Sequence, residues 1–217
     1  MKPSDLDRNE ILMYMGTSQL DEELSKMLDS CIRELCRAAQ PRTIYRVLPV
    51  VHKDSQVSIG GLALQGRDIA LHLSGCENAV LMAATLSSAV DALIRRAQVT
   101  DMTKALMYDA AAGAAIERVC GELEKEIKAK YVYPYYTARF SAGYGDFPIT
   151  QQADIIKTLD ASRKIGLTVT SAQTLLPLKS VTAVIGMSHQ PVKDARRFGC
   201  GRSCEECPYR DGCKLRK

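Results

Sequence analysis

Patterns typical of strands and patterns typical of helices follow one another along this chain without a regular strand–helix–strand repeat. A parallel sheet needs such a repeat, because a long crossover joins each pair of parallel neighbours, whereas antiparallel strands accept irregular connections. We therefore predict an α+β fold in which a mainly antiparallel, twisted sheet is flanked by helices. The patterns predict helices over residues 18–40, 77–98, 102–130 and 150–164, and strands over residues 43–51, 67–73, 167–170 and 180–187.

Two local features refine this outline. Pro49 falls inside the first predicted strand, and because proline cannot donate to a sheet ladder we expect that strand to lie at an edge or to be broken. The Gly60–Gly61 pair predicts a tight turn shortly afterwards.

The length and composition favour one sizeable core with a small appendage. The chain has 217 residues and is 46% hydrophobic, and we predict one domain over residues 1–192 followed by a tail over residues 193–217. The charged start does not resemble a signal peptide, and charged or polar residues interrupt the apolar stretches before they are long enough to cross a membrane. The sequence therefore predicts a cytoplasmic protein without membrane association.

The net positive charge is concentrated in the tail. The formal charge of the chain is +4, and residues 193–217 contain eight Lys or Arg against four Asp or Glu, so the rest of the chain is neutral. No aromatic residues alternate with these basic residues and no known nucleic-acid-binding module accompanies them, so we do not expect nucleic acid as a partner. An anionic cluster or an acidic partner fits the same charge.

Four cysteines stand close together in this tail. Cys200, Cys204 and Cys207 follow one another at short spacing, Pro208 comes directly after the third, and Cys213 completes the set. Four thiolates in this arrangement are typical of an iron–sulfur cluster, here a 4Fe–4S cluster, and equally of a closed zinc site; free or redox-active thiols are the third alternative. The first three cysteines also have the spacing found in radical S-adenosylmethionine enzymes, but nothing follows them that could form the barrel of those enzymes.

A tyrosine-rich segment, Tyr131 to Ile149, leads through a glycine-containing turn and is the best candidate for a binding site. We interpret it as a strand that delivers Arg139 to this turn, which we call the ligand loop (residues 139–147). An arginine there can bind an anion, and Gly143 allows the backbone to approach a ligand closely. The same composition is also typical of a plain hairpin loop.

Three ordered motifs resemble the activation, or reactivation, domain of cobalamin-dependent methionine synthase, the domain that binds S-adenosylmethionine. The family's Arg-x-x-x-Gly-Tyr followed by proline is similar to Arg139–Tyr144 with Pro148, and its Ser-His-Pro motif is similar to Ser188–Pro191. Between them, the family's Met-Trp-Pro and Ser-Val-Ser-Gly stretch resembles residues 175–177 and 180–183. The resemblance is good over about residues 135–191, weaker across the two long predicted helices and vague before Arg67.

The resemblance implies roles for individual residues. Arg139 would pair with the carboxylate of S-adenosylmethionine, and the backbone around Ala142 and Gly143, the neighbouring Ser141 and the ring of Tyr144 would line the adenosine and face the corrin. These roles agree with the chemistry of the side chains. A guanidinium binds a carboxylate through two parallel hydrogen bonds, and an aromatic ring attracts a sulfonium cation.

The sequence also departs from the family. Ser171 stands where the family has an acidic residue, and the segment Val184–Gly186 replaces an aromatic strand near the site. The homocysteine, folate and cobalamin modules of the parent enzyme are missing. The resemblance therefore implies a freestanding relative that acts in trans on a cobalamin-binding methionine synthase and uses a low-potential electron donor. The cysteine tail lies outside the resemblance, and our separate hypothesis is that its cluster accepts or relays the electron.

Two alternatives remain open at this point. The chain would activate another corrinoid methyltransferase, or it would be a zinc-stabilised interaction module that no longer binds S-adenosylmethionine. Asp109 and Glu117 lie eight residues apart on a predicted helix, and they would either reach the ligand's amino group or have solvated or capping roles, which we favour. The histidines, His52, His72 and His189, are too dispersed to form a metal site, and His72, on a predicted strand, is expected to be packed or solvated.

Overall fold

A computed structural model describes residues 1–53 and 56–192 of the chain. Its helices are α1 Arg8–Tyr14, α2 Glu22–Ala38, α3 Arg67–His72, α4 Ser88–Thr100, α5 Met102–Lys130, α6 Gln152–Leu159 and α7 Ala161–Ile165. Its strands are β1 Arg42–Lys53, β2 Gln56–Ile59, β3 Leu62–Leu64, β4 Asn78–Thr85, β5 Tyr135–Tyr136, β6 Thr168–Val169, β7 Leu175–Leu176 and β8 Ser180–Ser188.

Six of these strands form one antiparallel sheet in the order β3-β2-β1-β4-β8-β5, and β6 pairs with β7 separately. β1 and β2 are antiparallel with Val50 opposite Ile59, and β5 and β8 are antiparallel with Tyr135 opposite Ser188. β4 and β8 are also antiparallel, because backbone hydrogen bonds join opposite ends of the two strands. The Glu77 N–H donates to Met187, and the Leu86 N–H donates to Lys179. The predicted α+β class with a mainly antiparallel sheet is confirmed.

The prediction of a helix from residue 77 was wrong for its first half, which forms strand β4. Every residue of β4 after Asn78 is buried, so the segment reads as a continuous apolar run. Such a run is typical of a strand covered on both faces, but its spacing does not distinguish it from a buried helix. The predicted helix is therefore replaced by β4 and by α4, which begins at Ser88.

The predicted strand over residues 67–73 was also wrong, because this segment forms the short helix α3. Ile69 and His72, three residues apart, are buried on one side of the helix, whereas Leu71 is 49% exposed. The apolar alternation of Ile69, Leu71 and Leu73 therefore does not correspond to one face of a strand. His72 is packed, as expected, but on a helix.

Pro49 neither breaks β1 nor places it at an edge. β1 lies between β2 and β4, and its pairing with β2 begins at Val50. Pro49 therefore lies just outside that ladder, where its missing N–H is not required, while its carbonyl accepts a bond of 3.1 Å from Gly60. The predicted turn at Gly60–Gly61 is confirmed as the connection between β2 and β3.

The helices follow the predicted segments with shifted ends. α2 begins after Asp21, whose side chain accepts from the Leu24 N–H, rather than at Ser18, and it ends before Pro41 as predicted. α5 coincides with the predicted residues 102–130. The predicted helix over residues 150–164 is divided into α6 and α7 at Asp160, whose φ of +54° interrupts the helical path.

The chain divides into two compact units that interleave along the sequence. The first comprises Met1–Ile44, Ala83–Tyr131 and Asp160–Val181, and in it α5 packs against α1, α2 and α4. The second comprises Tyr45–Met82, Val132–Leu159 and the described residues from Thr182 onward, and it contains α3, the β2–β3 hairpin and the ligand loop. No helix in the described part of the chain is long and apolar enough to span a membrane. The predicted tail, residues 193–217, lies outside the described residues, so the division at residue 192 stays a prediction.

Candidate functional site

The chain reaches the ligand loop along the edge of the sheet. β5 pairs with β8, and four residues later Phe140 and Val184 exchange backbone hydrogen bonds of 3.0 and 2.8 Å. Arg139 directly precedes Phe140 and is half-buried. The predicted strand is thus short, but it leads Arg139 to the start of the turn as expected.

Three backbone hydrogen bonds close the ligand loop on itself. Tyr144 donates to Ser141 over 3.1 Å, Phe147 donates to Tyr144 over 3.0 Å, and Gly143 donates to Phe147 over 2.8 Å. The loop needs glycine at two positions, since Gly143 has a φ of +96° and Gly145 a φ of +54°. A Cβ atom on Gly145 would lie 2.0 Å from Asp68 Oδ2, so the loop also approaches α3 closely at this point.

Asp146 attaches the ligand loop to the N-terminus of α3. Its carboxylate accepts from the N–H groups of Arg67 and Asp68 over 2.8 and 2.9 Å, and Asp68 Oδ2 accepts in return from the Asp146 N–H over 3.2 Å. The bonds from the Asp68 and Arg67 N–H groups hold the pKa of the Asp146 carboxyl below its usual value of 3.8. No local pattern predicts this link, because Asp146 is 79 residues from Arg67 and 78 residues from Asp68.

An aromatic cluster supports the loop from below. Phe140 and Phe147 are each 1% exposed and their rings stack at 6.1 Å between centroids, and the ring of His72 lies 4.8 Å from that of Phe140. Tyr144 meets Phe140 edge to face at 6.0 Å while 50% of Tyr144 remains exposed. The cluster therefore holds the backbone on both sides of Gly143 while Tyr144 presents its ring to solvent.

A buried polar group lies beneath the same segment. His72 Nε2 lies 2.8 Å from Thr137 Oγ1, and Thr137 Oγ1 accepts from the Gly186 N–H over 2.7 Å. His72 is 1% exposed, and its burial lowers its pKa to about 4, an effect that the nearby carbonyls of Ala138 and Val184 offset only partly. His72 is therefore neutral near pH 7, and it is a supporting residue that sequence reasoning did not identify.

The five residues that the resemblance assigned to the ligand differ in exposure. Gly143 and Tyr144 are exposed, Arg139 and Ser141 are half-buried, and Ala142 is 7% exposed. The backbone of Gly143 and the ring of Tyr144 are therefore accessible at this surface, whereas the side chain of Ala142 is not. The loop brings all five residues together within one turn. At Gly143 the absence of a Cβ atom leaves the backbone open to close approach.

Asp109 and His189, which the sequence analysis also considered, both contact other residues of the protein. Asp109 forms an ion pair of 2.8 Å with Lys179, so the structure gives its carboxylate a partner within the protein. His189 Nδ1 lies 2.6 Å from Glu77 Oε2, and its ring packs 4.6 Å from that of Tyr133. Bonding to His189 lowers the pKa of Glu77.

The metal prediction lies beyond what the structure describes. Cys200, Cys204, Cys207 and Cys213 all fall in residues 193–217, outside the described residues. In residues 1–53 and 56–192 no group of three or more His, Cys, Asp or Glu side chains is arranged to hold a metal ion. The cysteines of this part, Cys31, Cys36, Cys76 and Cys120, are buried or half-buried thiols.

Together these features define an α+β protein whose antiparallel sheet carries a hydrogen-bonded, glycine-containing loop beside strand β8. Among solved structures, the chain is similar to the crystal structure of the MetH reactivation domain bound to AdoHcy. The TM-score is 0.65 at 16% sequence identity, and the match covers 97% of this chain and 82% of that chain. The resemblance to the activation domain is thereby confirmed for the fold.

No protein-family model matches the chain, and no curated protein sequence matches it. The likeness to the reactivation domain is therefore a likeness of fold.

Proposed function

We propose that this protein binds S-adenosylmethionine at its ligand loop and takes part in the reductive methylation of a corrinoid cofactor carried by another protein, such as a cobalamin-binding methionine synthase. The observation that carries the proposal is the likeness, over 97% of the chain, to a reactivation domain that is bound to AdoHcy. The loop that contains the similar Arg-x-x-x-Gly-Tyr motif is also built to present ligand-binding groups. Another corrinoid methyltransferase is the alternative partner.

Three groups of the ligand loop would each contact a different part of the ligand. Arg139, half-buried at the start of the loop, would bind the ligand's carboxylate through a charge-assisted pair of hydrogen bonds. The exposed backbone of Gly143 leaves room for a ligand to approach, and the exposed ring of Tyr144 offers a π face to a sulfonium. Ser141 and Ala142 would contribute hydroxyl and backbone contacts between them.

The chain's contribution to the reaction would be positioning. S-adenosylmethionine supplies a methyl group activated on sulfur, and the electron needed for reductive methylation comes from a separate low-potential donor. A rigidly bound ligand that is held against the partner's corrin makes the encounter effectively intramolecular, which is a large rate advantage. The hydrogen bonds that the Asp146 carboxylate accepts from the Arg67 and Asp68 N–H groups, together with the packing of Phe140, would hold the loop in place.

The cysteine tail extends this proposal. Cys200, Cys204, Cys207 and Cys213 would hold a 4Fe–4S cluster that serves electron delivery, or a structural zinc ion. Metal and sulfide analysis of anaerobically purified protein distinguishes these alternatives. Iron with acid-labile sulfide supports the cluster, one zinc per chain supports the structural site, and a metal-free protein after anaerobic reconstitution contradicts both.

Calorimetric titration of S-adenosylmethionine and AdoHcy into the full chain tests the proposed binding. Replacing Arg139 by Ala should weaken binding by about 10- to 100-fold, because a hydrogen bond to a charged group contributes about 1.5–3 kcal/mol. Arg139→Lys keeps the positive charge but lacks the planar guanidinium, so its affinity should lie between those of the wild type and of Arg139→Ala. Arg33→Ala, which removes an exposed arginine of α2, is the matched control.

The outcomes separate the possible readings. Equal affinities in the Arg139→Ala and Arg33→Ala variants would contradict the proposed role of Arg139. A well-folded wild-type protein that binds neither ligand would contradict the proposed function and favour an interaction module. Action in trans is tested by adding the protein to an oxidised corrinoid methionine synthase with a reductant and S-adenosylmethionine, where recovery of methylated cobalamin must depend on this chain.

A further inference from the structure

A cleft lies in the first unit, at the N-terminus of helix α4. It has a volume of about 640 Å³, and its walls include Ser87 and Ser88 at the start of the helix, Asp91 and Arg95 further along it, and Arg42 of β1. Its walls also include Leu176 and Pro177, which belong to one of the motifs that carry the resemblance. The lining contains no residue of the ligand loop, so the cleft is separate from the five residues that the proposed function assigns to S-adenosylmethionine.

Two polar atoms of the cleft are buried without a hydrogen-bond partner among the described residues. Asp91 is 6% exposed, and although its Oδ2 accepts from the Leu178 N–H over 2.8 Å, its Oδ1 accepts from no group. Ser87 Oγ is also buried and unpartnered. Leaving such atoms unpaired is unfavourable, so the presence of two of them in one cleft points to a ligand that supplies the missing bonds.

The start of α4 offers further binding groups. In the described structure no side chain caps this helix, whereas Asp21 caps α2 and Asp101 caps α5. Ser87 holds a φ of +84°, which is an unfavourable value for a residue other than glycine. The first N–H groups of a helix bind oxyanions well, because they are unpaired and lie at the positive end of the helix dipole.

The charges of the cleft favour an anion that also carries a hydrogen-bond donor. Arg42 and Arg95 add two positive charges to the walls of the cleft, which suits a phosphate group. The unpartnered Oδ1 of Asp91 accepts only and therefore disfavours a bare anion, but it accepts readily from a hydroxyl group. We propose that this cleft binds a phosphate monoester of a hydroxylated small molecule, such as a sugar phosphate or a nucleotide.

The site is tested with ribose 5-phosphate as the probe, titrated calorimetrically into the full chain alongside inorganic phosphate and free ribose. We expect ribose 5-phosphate to bind more tightly than either, because only this compound supplies both the anion and the donors. Arg95→Ala should weaken its binding by about tenfold. Arg96→Ala, which removes the adjacent exposed arginine that does not line the cleft, should leave it unchanged.

A second variant keeps the test independent of folding defects. Ser87→Ala deletes a buried hydroxyl that has no partner, so it should not lower the stability of the free protein, yet it should weaken ribose 5-phosphate binding by roughly fivefold. No binding of ribose 5-phosphate by the wild-type chain would overturn the proposal. So would equal losses in Arg95→Ala and Arg96→Ala, or binding of free serine in its place, which would assign the cleft to an α-amino acid.

Discussion

Asp146 caps helix α3 with both oxygens of its carboxylate, and Asp68, inside that helix, accepts a hydrogen bond from the Asp146 backbone in return. Capping by side chains normally comes from a residue adjacent to the helix, whereas this cap comes from 78 residues further along the chain. The exchange fixes the end of the ligand loop to a helix, so the conformation of the loop depends on two carboxylates that need not touch the ligand.

Replacing Asp146 by Ala should therefore lower both the melting temperature and the affinity for S-adenosylmethionine. The substitution removes the acceptor of two backbone N–H groups at the start of α3 and frees the loop to take other conformations. Thermal unfolding and calorimetry measure the two effects. Glu126→Ala, which removes an exposed carboxylate of α5, should change neither.

The same cap has a defined pH dependence. Because the folded-state pKa of Asp146 lies below its usual value of 3.8, the stabilisation is present above that value and is lost as the pH falls through the lowered pKa. The difference in melting temperature between wild type and Asp146→Ala should therefore shrink at pH values below about 3.8. A difference that stays constant there would contradict the role of the ionised carboxylate.

Gly145→Ala should destabilise the protein more than Gly75→Ala. Both glycines have positive φ values, +54° and +77°, but a Cβ at Gly145 meets Asp68 Oδ2 at 2.0 Å, whereas a Cβ at Gly75 meets nothing within 4 Å. The backbone strain is common to both, so the difference in unfolding free energy, about 1–3 kcal/mol, measures the steric conflict. Urea unfolding of the two variants tests this, and equal losses would show that the loop moves away from α3 freely.

The stability of the protein should fall as the pH drops from about 6.5 to about 4 because of His72. Its pKa is about 4 in the folded state and near the ordinary 6.5 when unfolded, so the unfolded chain takes up a proton first. A shift of this size corresponds to about 3 kcal/mol across the interval. Urea unfolding at a series of pH values measures how steeply the free energy of unfolding depends on pH. This slope should be clearly smaller for His72→Gln than for the wild type.

The control for this experiment is His52→Gln, since His52 is an exposed histidine of β1 and its replacement also removes one imidazole. Its slope should match that of wild type. If instead His72→Gln retains the full slope, another group is responsible for the acid sensitivity.

Tyr144→Ala should weaken S-adenosylmethionine binding by a factor of roughly two to five, because an exposed cation–π contact contributes about 0.5–1 kcal/mol. Tyr144→Phe keeps the ring and should retain most of the affinity. Tyr135→Ala serves as the matched control, since this tyrosine is 40% exposed but lies outside the loop. A loss in Tyr144→Phe as large as that in Tyr144→Ala would assign the effect to the hydroxyl group rather than to the ring.

Elements with strong local signals were predicted well. The residues of α5 combine helical spacing with a charged final segment, and the helix occupies the predicted range. The Gly60–Gly61 turn and strand β8 were also found where the sequence predicts them, because glycine and β-branched residues act on their immediate neighbours. The motif that contains Arg139 and Gly143 likewise identified the loop before its geometry was known.

The errors concern segments whose conformation depends on distant partners. β4 was predicted as helix because alanine and leucine favour helices locally, but its position between β1 and β8 makes it a strand. α3 is only six residues long and is held by Asp146, and the contact of His72 with Thr137 joins residues 65 positions apart. Short elements and buried polar groups have free energies that come mainly from tertiary contacts, which no local pattern contains. For that reason local signals sufficed for the long helix, the Gly60–Gly61 turn and the position of the turn after Arg139, whereas the centre of the sheet and the contacts that hold this turn were decided by the tertiary structure.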